Sequence, residues 1–244
     1  MCSLFKRPHH QCIEKLLNSF NVELLIQTQC YFGGGTAIAL QLDEYRESLD
    51  VDFVCAFNEG YRTLRNTVTE DNLGALLNTD IVHLRSVRFD QIGIRTTLEI
   101  DGTPIKVEIL SEGRIAIAGQ RTPNLPVPTL VPTDLFAEKL LANADRGQDS
   151  SVLSRDIIDL AVMIEHWGPI PEQAWIKARE AYGAQIDRAY ASSCRLIGNR
   201  RYLRSCLNNM QMDEDWLDRL PVLLGCPSSE SKADDIHRSG TFKF

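Results

Sequence analysis

Residues 33–36 read Gly33-Gly34-Gly35-Thr36, and a short way downstream two aspartates alternate in Asp50-Val51-Asp52. On a strand, successive side chains point to opposite faces, so Asp50 and Asp52 share a face if Val51 to Phe57 is extended. Two carboxylates on one face suit Mg²⁺, a hard ion that takes oxygen ligands alongside substrate phosphates. Glu108, in Lys106-Val107-Glu108-Ile109, lies between apolar neighbours on a second expected strand and supplies a third candidate ligand. Three carboxylates suit a two-metal site that activates an attacking hydroxyl and stabilises a leaving pyrophosphate. Glycines between a strand and a helix let the backbone approach a ligand, and the helix start offers free N–H groups to phosphate.

Each feature alone has a plainer reading. Three glycines are usually a loop, an isolated D-x-D is usually a solvated strand end, and Glu108 alone reads as an edge-strand acid. The order strand, glycines, helix, D-x-D, strand, glutamate is what favours a nucleotide and metal site.

The elements that must position these residues follow from periodicity. Residues 8–20 carry an apolar helical stripe of Cys12, Ile13, Leu16, Leu17 and Phe20 behind Pro8. Residues 22–32 are apolar, and their second half runs as a strand into the glycines. Thr36 to Leu42 favours helix. Residues 92–100 and 103–110 alternate and meet at Asp101-Gly102, a hairpin-turn pair. Thr122 to Pro132 holds four prolines and reads as an extended connector. Beyond it, residues 134–146, 154–167, 171–183, 185–197, 199–209 and 213–224 read as helices. The expected fold is α+β: residues 1–130 as a mixed sheet with flanking helices, 131–226 as a helical bundle, and 227–244 as a polar, mobile tail.

With these elements in place, the motifs resemble a known family. Gly34-Gly35-Thr36-Ala37 followed by Arg46-x-Ser48-x-Asp50-x-Asp52 is similar to the signature of polymerase-β-type nucleotidyltransferases. More narrowly it resembles the abortive-infection toxins of the AbiEii/AbiGii type. Pro132-Thr133-Asp134-Leu135 to Glu138-Lys139-Leu140 resembles the family's lysine helix. Arg146 and Arg155-Asp156-Ile157-Ile158-Asp159-Leu160 resemble its arginine and its R-D-x-x-D-L segment. The likeness spans residues 32 to 160, and the ordered set is far more specific than any one motif.

The resemblance implies roles residue by residue. Gly34, Gly35 and Thr36 would cradle a nucleoside triphosphate, with Ser48 and Arg46 bracing the loop beside it. Asp50 and Asp52 would bind Mg²⁺, or Mn²⁺ in its place, with Glu108 as the third acid. Lys139 would reach a phosphate, and Asp156 would complete the site or orient Lys139. The activity implied is transfer of a nucleoside monophosphate from an NTP to a hydroxyl of tRNA or protein, by the toxin of a toxin–antitoxin or phage-defence pair with an antitoxin partner. Two departures stand out: Gly33 replaces a frequent lysine, and Glu108 stands where many superfamily enzymes use aspartate. Read without the family, Lys139 is a snorkelling surface lysine, and Arg155 and Asp159 form an i,i+4 helix pair.

Composition bounds the alternatives. The chain has 244 residues and a net charge of −7, which argues against non-specific coating of nucleic acid. No apolar run approaches the roughly 18 residues of a membrane span. The N-terminal residues show no secretory h-region. Seven cysteines, odd in number and without a C-x-x-C pair, fit free thiols in a reducing cytoplasm better than disulfides or zinc. Arg195, Arg200, Arg201 and Arg204 with Tyr202 form the densest basic cluster, read here as a solvated helix face ahead of a tRNA surface. His9 and His10 read as surface residues, and Trp167, Trp175 and Trp216 as helical core or its rim. Two other classes remain: a non-catalytic nucleotide-binding regulator of this fold, and a metal-dependent phosphodiesterase, which the glycine cradle disfavours.

Overall fold

The computed structural model describes residues 3–226. The chain opens with α1 (Pro8–Ser19), Pro8 at its start and Ile13, Leu16 and Leu17 buried. Next comes α2 (Val22–Gln27), where a strand-like apolar run is helical because Asn21 Oδ1 accepts from the Leu24 N–H. The chain then runs as β1 (Cys30–Gly33), α3 (Gly34–Gln41) and β2 (Val51–Cys55). Helix α3 starts at Gly34, two residues before the expected Thr36, because Gly33 stays extended and serves as its N-cap.

Helix α4 (Asn58–Thr67) and strand β3 (Val82–Phe89) lack a strong sequence signal. The helix buries only Gly60, Tyr61 and Leu64. The strand is a mostly exposed sheet edge with register shifts against its neighbour. That neighbour, β4 (Gly93–Ile100), and β5 (Thr103–Ser111) form the anticipated hairpin. Asp101 and Gly102 both take positive φ, as its tight turn requires. Two short strands, β6 (Gly119–Gln120) and β7 (Thr129–Leu130), follow; the second shows that the proline-rich connector ends inside the sheet.

All seven strands make one mixed sheet in the order β3-β4-β5-β2-β1-β7-β6. Strand β2 pairs antiparallel with β1 and parallel with β5. Alternation along β2 sorts its side chains. Val51, Phe53 and Cys55 enter a core shared with Leu16, Leu17, Phe20 and Leu64. Val54, of opposite parity, joins a second core built largely by the C-terminal helices. Asp52 shares the parity of Val54, so it faces the helical side.

The helical bundle comprises α5 (Pro132–Arg146), α6 (Arg155–Trp167), α7 (Glu172–Tyr182), α8 (Gln185–Ile197), α9 (Arg200–Asn209) and α10 (Trp216–Leu223). Helix α5 begins two residues earlier than expected, because Pro132 occupies a first-turn position where a missing N–H costs nothing. Trp216 joins the helical core against Tyr45, and Trp167 and Trp175 pack at its rim against Phe136 and Tyr190. The tail from Pro227 lies outside the described residues.

Candidate active site

Gly34 turns the chain from β1 into α3 with φ +68°, a region that disfavours residues with a Cβ. A Cβ there would stand 2.4 Å from Asp52 Oδ2, and one on Gly35 would stand 2.2 Å from Arg46 Nη2. The missing side chains are therefore what admit Asp52 and Arg46 against the start of the helix. Gly33 lies opposite Asp52 across β1–β2.

The loop between α3 and β2 is fixed from several sides. Thr36 Oγ1 donates to the Asp50 carbonyl at 2.5 Å and lies 2.8 Å from Ser48 Oγ. His10 Nδ1 donates to Glu44 Oε1 at 2.8 Å, and its Nε2 accepts from the Ser48 N–H at 3.1 Å. Burial lowers the His10 pKa, which fits a neutral ring with one donating and one accepting nitrogen. His9 Nε2 bonds the Leu49 carbonyl. The expectation of a surface pair is thus corrected for His10, which is fully buried because it props the loop that carries the aspartates.

Behind the loop lies a buried ion network. Arg46 forks onto Asp159 at 2.7 and 3.0 Å, and the Tyr45 hydroxyl donates to the same carboxylate at 2.5 Å. Lys139 Nζ bridges Asp156 at 2.9 Å and Asp159 at 2.7 Å. Arg146 grips Asp156 at 2.7 and 3.0 Å. Burial pushes both carboxylates up in pKa, but the paired cations outweigh it and hold Asp156 and Asp159 below the usual range. Asp159 therefore does not pair with Arg155 along the helix. It ties the loop after α3 to α5 and α6.

A cleft of about 600 Å³ gathers the candidate residues. Gly34, Gly35, Thr36, Ser48, Asp50, Asp52, Glu108 and Lys139 all line it, while Asp156 stands behind Lys139. Glu108 is the direct neighbour of Asp52 across β2–β5. Its carboxylate is engaged, with Arg95 Nε at 3.1 Å and Lys106 Nζ at 2.7 Å. Burial, then the charges of Asp50 and Glu108, push the Asp52 carboxyl up to about 6.

Among the described residues, no group of three or more His, Cys, Asp or Glu side chains stands ready to hold a metal ion. The donor chemistry nonetheless fits a hard divalent cation. Asp50 and Asp52 line one cleft and offer only oxygens, the ligand type that such an ion takes.

Sequence reasoning missed Asp159 as a partner of Arg46 and Lys139, although its place three residues after Asp156 on one helix face was a usable signal. It also missed Glu138, a cleft-lining carboxyl pushed up to about 8 by burial and by Glu112. The basic cluster of α8 and α9 is partly spent on structure. Arg200 pairs with Asp218, Arg204 bonds Glu214 at 2.9 Å, and the Tyr202 hydroxyl meets Ser154 Oγ at 2.9 Å. Among the described residues the cysteines are free thiols, and no helix is long and apolar enough to cross a membrane.

Comparison with known proteins supplies the family. Solved structures similar to this chain include a nucleotidyltransferase structure from H. pylori, at 16% identity and TM-score 0.49, covering 89% of this chain and 92% of that one. Another is an antigenic nucleotidyltransferase-like protein from Paracoccidioides brasiliensis, at 17% identity and TM-score 0.46, covering 87% and 98%. A third is the nucleotidyltransferase toxin MenT4 from Mycobacterium tuberculosis, at 16% identity and TM-score 0.35, covering 90% and 94%. No curated protein matches the chain. The family described as nucleotidyl transferase AbiEii toxin, type IV toxin–antitoxin system, matches residues 15–235. That span takes in the glycine turn, the paired aspartates, the lysine helix and the R-D-x-x-D-L segment, and the chain belongs to this family of nucleotidyltransferase toxins.

Proposed function

We propose that the protein transfers a nucleoside monophosphate from an NTP to an acceptor hydroxyl on tRNA or protein. One observation carries the reading. The Asp52 carboxylate is seated against the glycine turn at the mouth of the cleft, so metal donors and a phosphate-binding helix start meet at one point. Asp50 and Asp52 would hold Mg²⁺ or Mn²⁺, which supplies charge neutralisation for the triphosphate and for the attacking oxygen. The backbone N–H groups of Gly34, Gly35 and Thr36, in the first turn of α3, would bind the phosphates. Lys139, fixed by Asp156 and Asp159, presents positive charge to the cleft floor. In the reaction the acceptor oxygen bonds the α-phosphorus as the bond to the bridging oxygen of the β-phosphate breaks. Pyrophosphate leaves, and the hydroxyl proton passes to the carboxylate cluster. Family membership supports a toxin role alongside an antitoxin.

The ion pairs of Glu108 favour a second reading, a nucleotide-binding protein without turnover, because its third carboxylate is already neutralised by Arg95 and Lys106. As a catalytic acid, Glu108 must exchange Lys106 for the metal. Pyrophosphate release separates the two. Release that requires NTP, Mg²⁺ and an acceptor, and that Asp52→Ala abolishes, supports transfer. Tight NTP binding without release, across total tRNA and cell protein as acceptors, supports the second reading.

A further inference from the structure

Six basic side chains line the cleft: Arg46, Lys106, Arg114, Lys139, Arg146 and Arg155. Five are committed to carboxylates. Arg46 holds Asp159, Lys139 bridges Asp156 and Asp159, and Arg146 holds Asp156. Lys106 holds Glu108, and Arg114 holds Glu112 and Asp145. Arg155 is the cleft-lining cation that, among the described residues, has neither a hydrogen bond nor an ion pair through its side chain.

Its placement runs against local preference. Arg155 is the first residue of α6, where a cation opposes the helix dipole. The adjacent Asp156 offers no relief, because Lys139 and Arg146 already occupy its oxygens. The turn that delivers Arg155 is itself strained. Leu153 and Ser154 take φ of 57° and 51°, a left-handed conformation that non-glycine residues hold only when their surroundings impose it. Ser154 is pinned there by the Tyr202 hydroxyl.

We propose that Arg155 is a triphosphate-binding residue, whose guanidinium takes the β- and γ-phosphate oxygens of the incoming NTP. This rests on the nucleotidyl-transfer reading and adds to it a residue that the motif roles leave unassigned. A planar fork of N–H donors suits the paired oxygens of a polyphosphate. A cation spent on no carboxylate meets that anion without first breaking a protein ion pair. Bound there, Arg155 also neutralises the pyrophosphate as it leaves.

The test reads binding, independently of transfer. ATP, GTP, CTP and UTP, and the corresponding monophosphates, are titrated calorimetrically in Mg²⁺ into the wild-type chain, Arg155→Ala and Arg155→Lys. Arg155→Ala is expected to raise the Kd of the preferred NTP about ten- to a hundredfold. Its monophosphate affinity and Tm should stay at wild-type values, and Arg155→Lys should recover part of the loss. NTP affinity that survives in Arg155→Ala overturns the assignment. So does an equal loss for triphosphate and monophosphate, which marks a merely structural role. Failure of the wild-type chain to bind any NTP overturns the transfer reading itself, a result distinct from either.

Discussion

Asp52 and Glu108 are direct neighbours across the parallel pair of β2 and β5, and Gly33 flanks Asp52 on its other side. One row across the sheet therefore carries the glycine that precedes the phosphate turn, the carboxylate against that turn, and a second carboxylate. Val51, Phe53, Val107 and Ile109 fix the register by burying the opposite face. A one-residue slip in either strand would send a carboxylate into the apolar core.

This row makes metal binding depend on pH. The Asp52 carboxyl titrates near 6, above its ordinary 3.8, so it is protonated on the acid side of that value. Mg²⁺ requires the charged form. Apparent Mg²⁺ affinity should be constant above about pH 7, with no proton released, and should fall about tenfold per pH unit below 6, where one proton is released per ion bound. Titration of Mg²⁺ into the chain between pH 5 and 8 checks both the slope and the proton release.

Removing the Asp52 charge should separate stability from function. The folded state raises this pKa, so the ionised carboxylate is destabilising above pH 6, and the penalty fades as pH falls. Asp52→Asn relieves it. The variant should be more stable than wild type at pH 7.5, by about 1 kcal/mol after allowance for solvent at the cleft mouth, and should show no such gain at pH 4. Transfer activity should fall at least a hundredfold. Urea unfolding at the two pH values and a pyrophosphate assay report the two effects.

Asp159 should be the most costly of these acids to remove. It is fully buried and holds Arg46, Lys139 and the Tyr45 hydroxyl. Asp159→Asn leaves two buried cations undercompensated, a loss of about 3–5 kcal/mol in urea unfolding at constant m. Because Asp156 and Asp159 titrate below their unfolded value, their stabilisation is complete above about pH 4 and is lost as pH falls through the folded values. The pH dependence of wild-type stability below 4 should be visibly flatter in the variant.

Gly34→Ala should damage the site more than the fold. The new methyl collides with the Asp52 carboxylate and sits at a positive φ. We expect a loss of about 1–3 kcal/mol in stability and a far larger relative loss of activity, with Mg²⁺ affinity reduced because Asp52 must move. Gly102→Ala, at a positive φ with open space around it, provides a control for backbone strain alone.

The glycine turn, the D-x-D, the hairpin and the long helices were legible because each depends on neighbours a few residues apart. Asp159 and His10 were not, because their meaning lies in distant partners. Arg46 is 113 residues from Asp159 in sequence, and Ser48 is 38 from His10. Read alone, Asp159 is a helix charge and His10 half of a surface pair. Helix α4 and strand β3 were missed because the helix buries a single narrow stripe and the strand is an exposed, irregular edge. Glu108 was read as lying on a second strand, which pairs with β2, yet nothing local announced that Arg95 on the next strand would claim it.

The most direct measurement is a labelling reaction. Purified protein is incubated with each α-³²P-labelled NTP in turn, Mg²⁺ and total tRNA, beside Asp52→Ala, and the products are separated on a denaturing gel. The account predicts label entering an acceptor, tRNA or protein, with one preferred nucleotide and none in the variant. Undiminished labelling by Asp52→Ala, or no labelled acceptor from a wild-type chain that binds NTP, would contradict it.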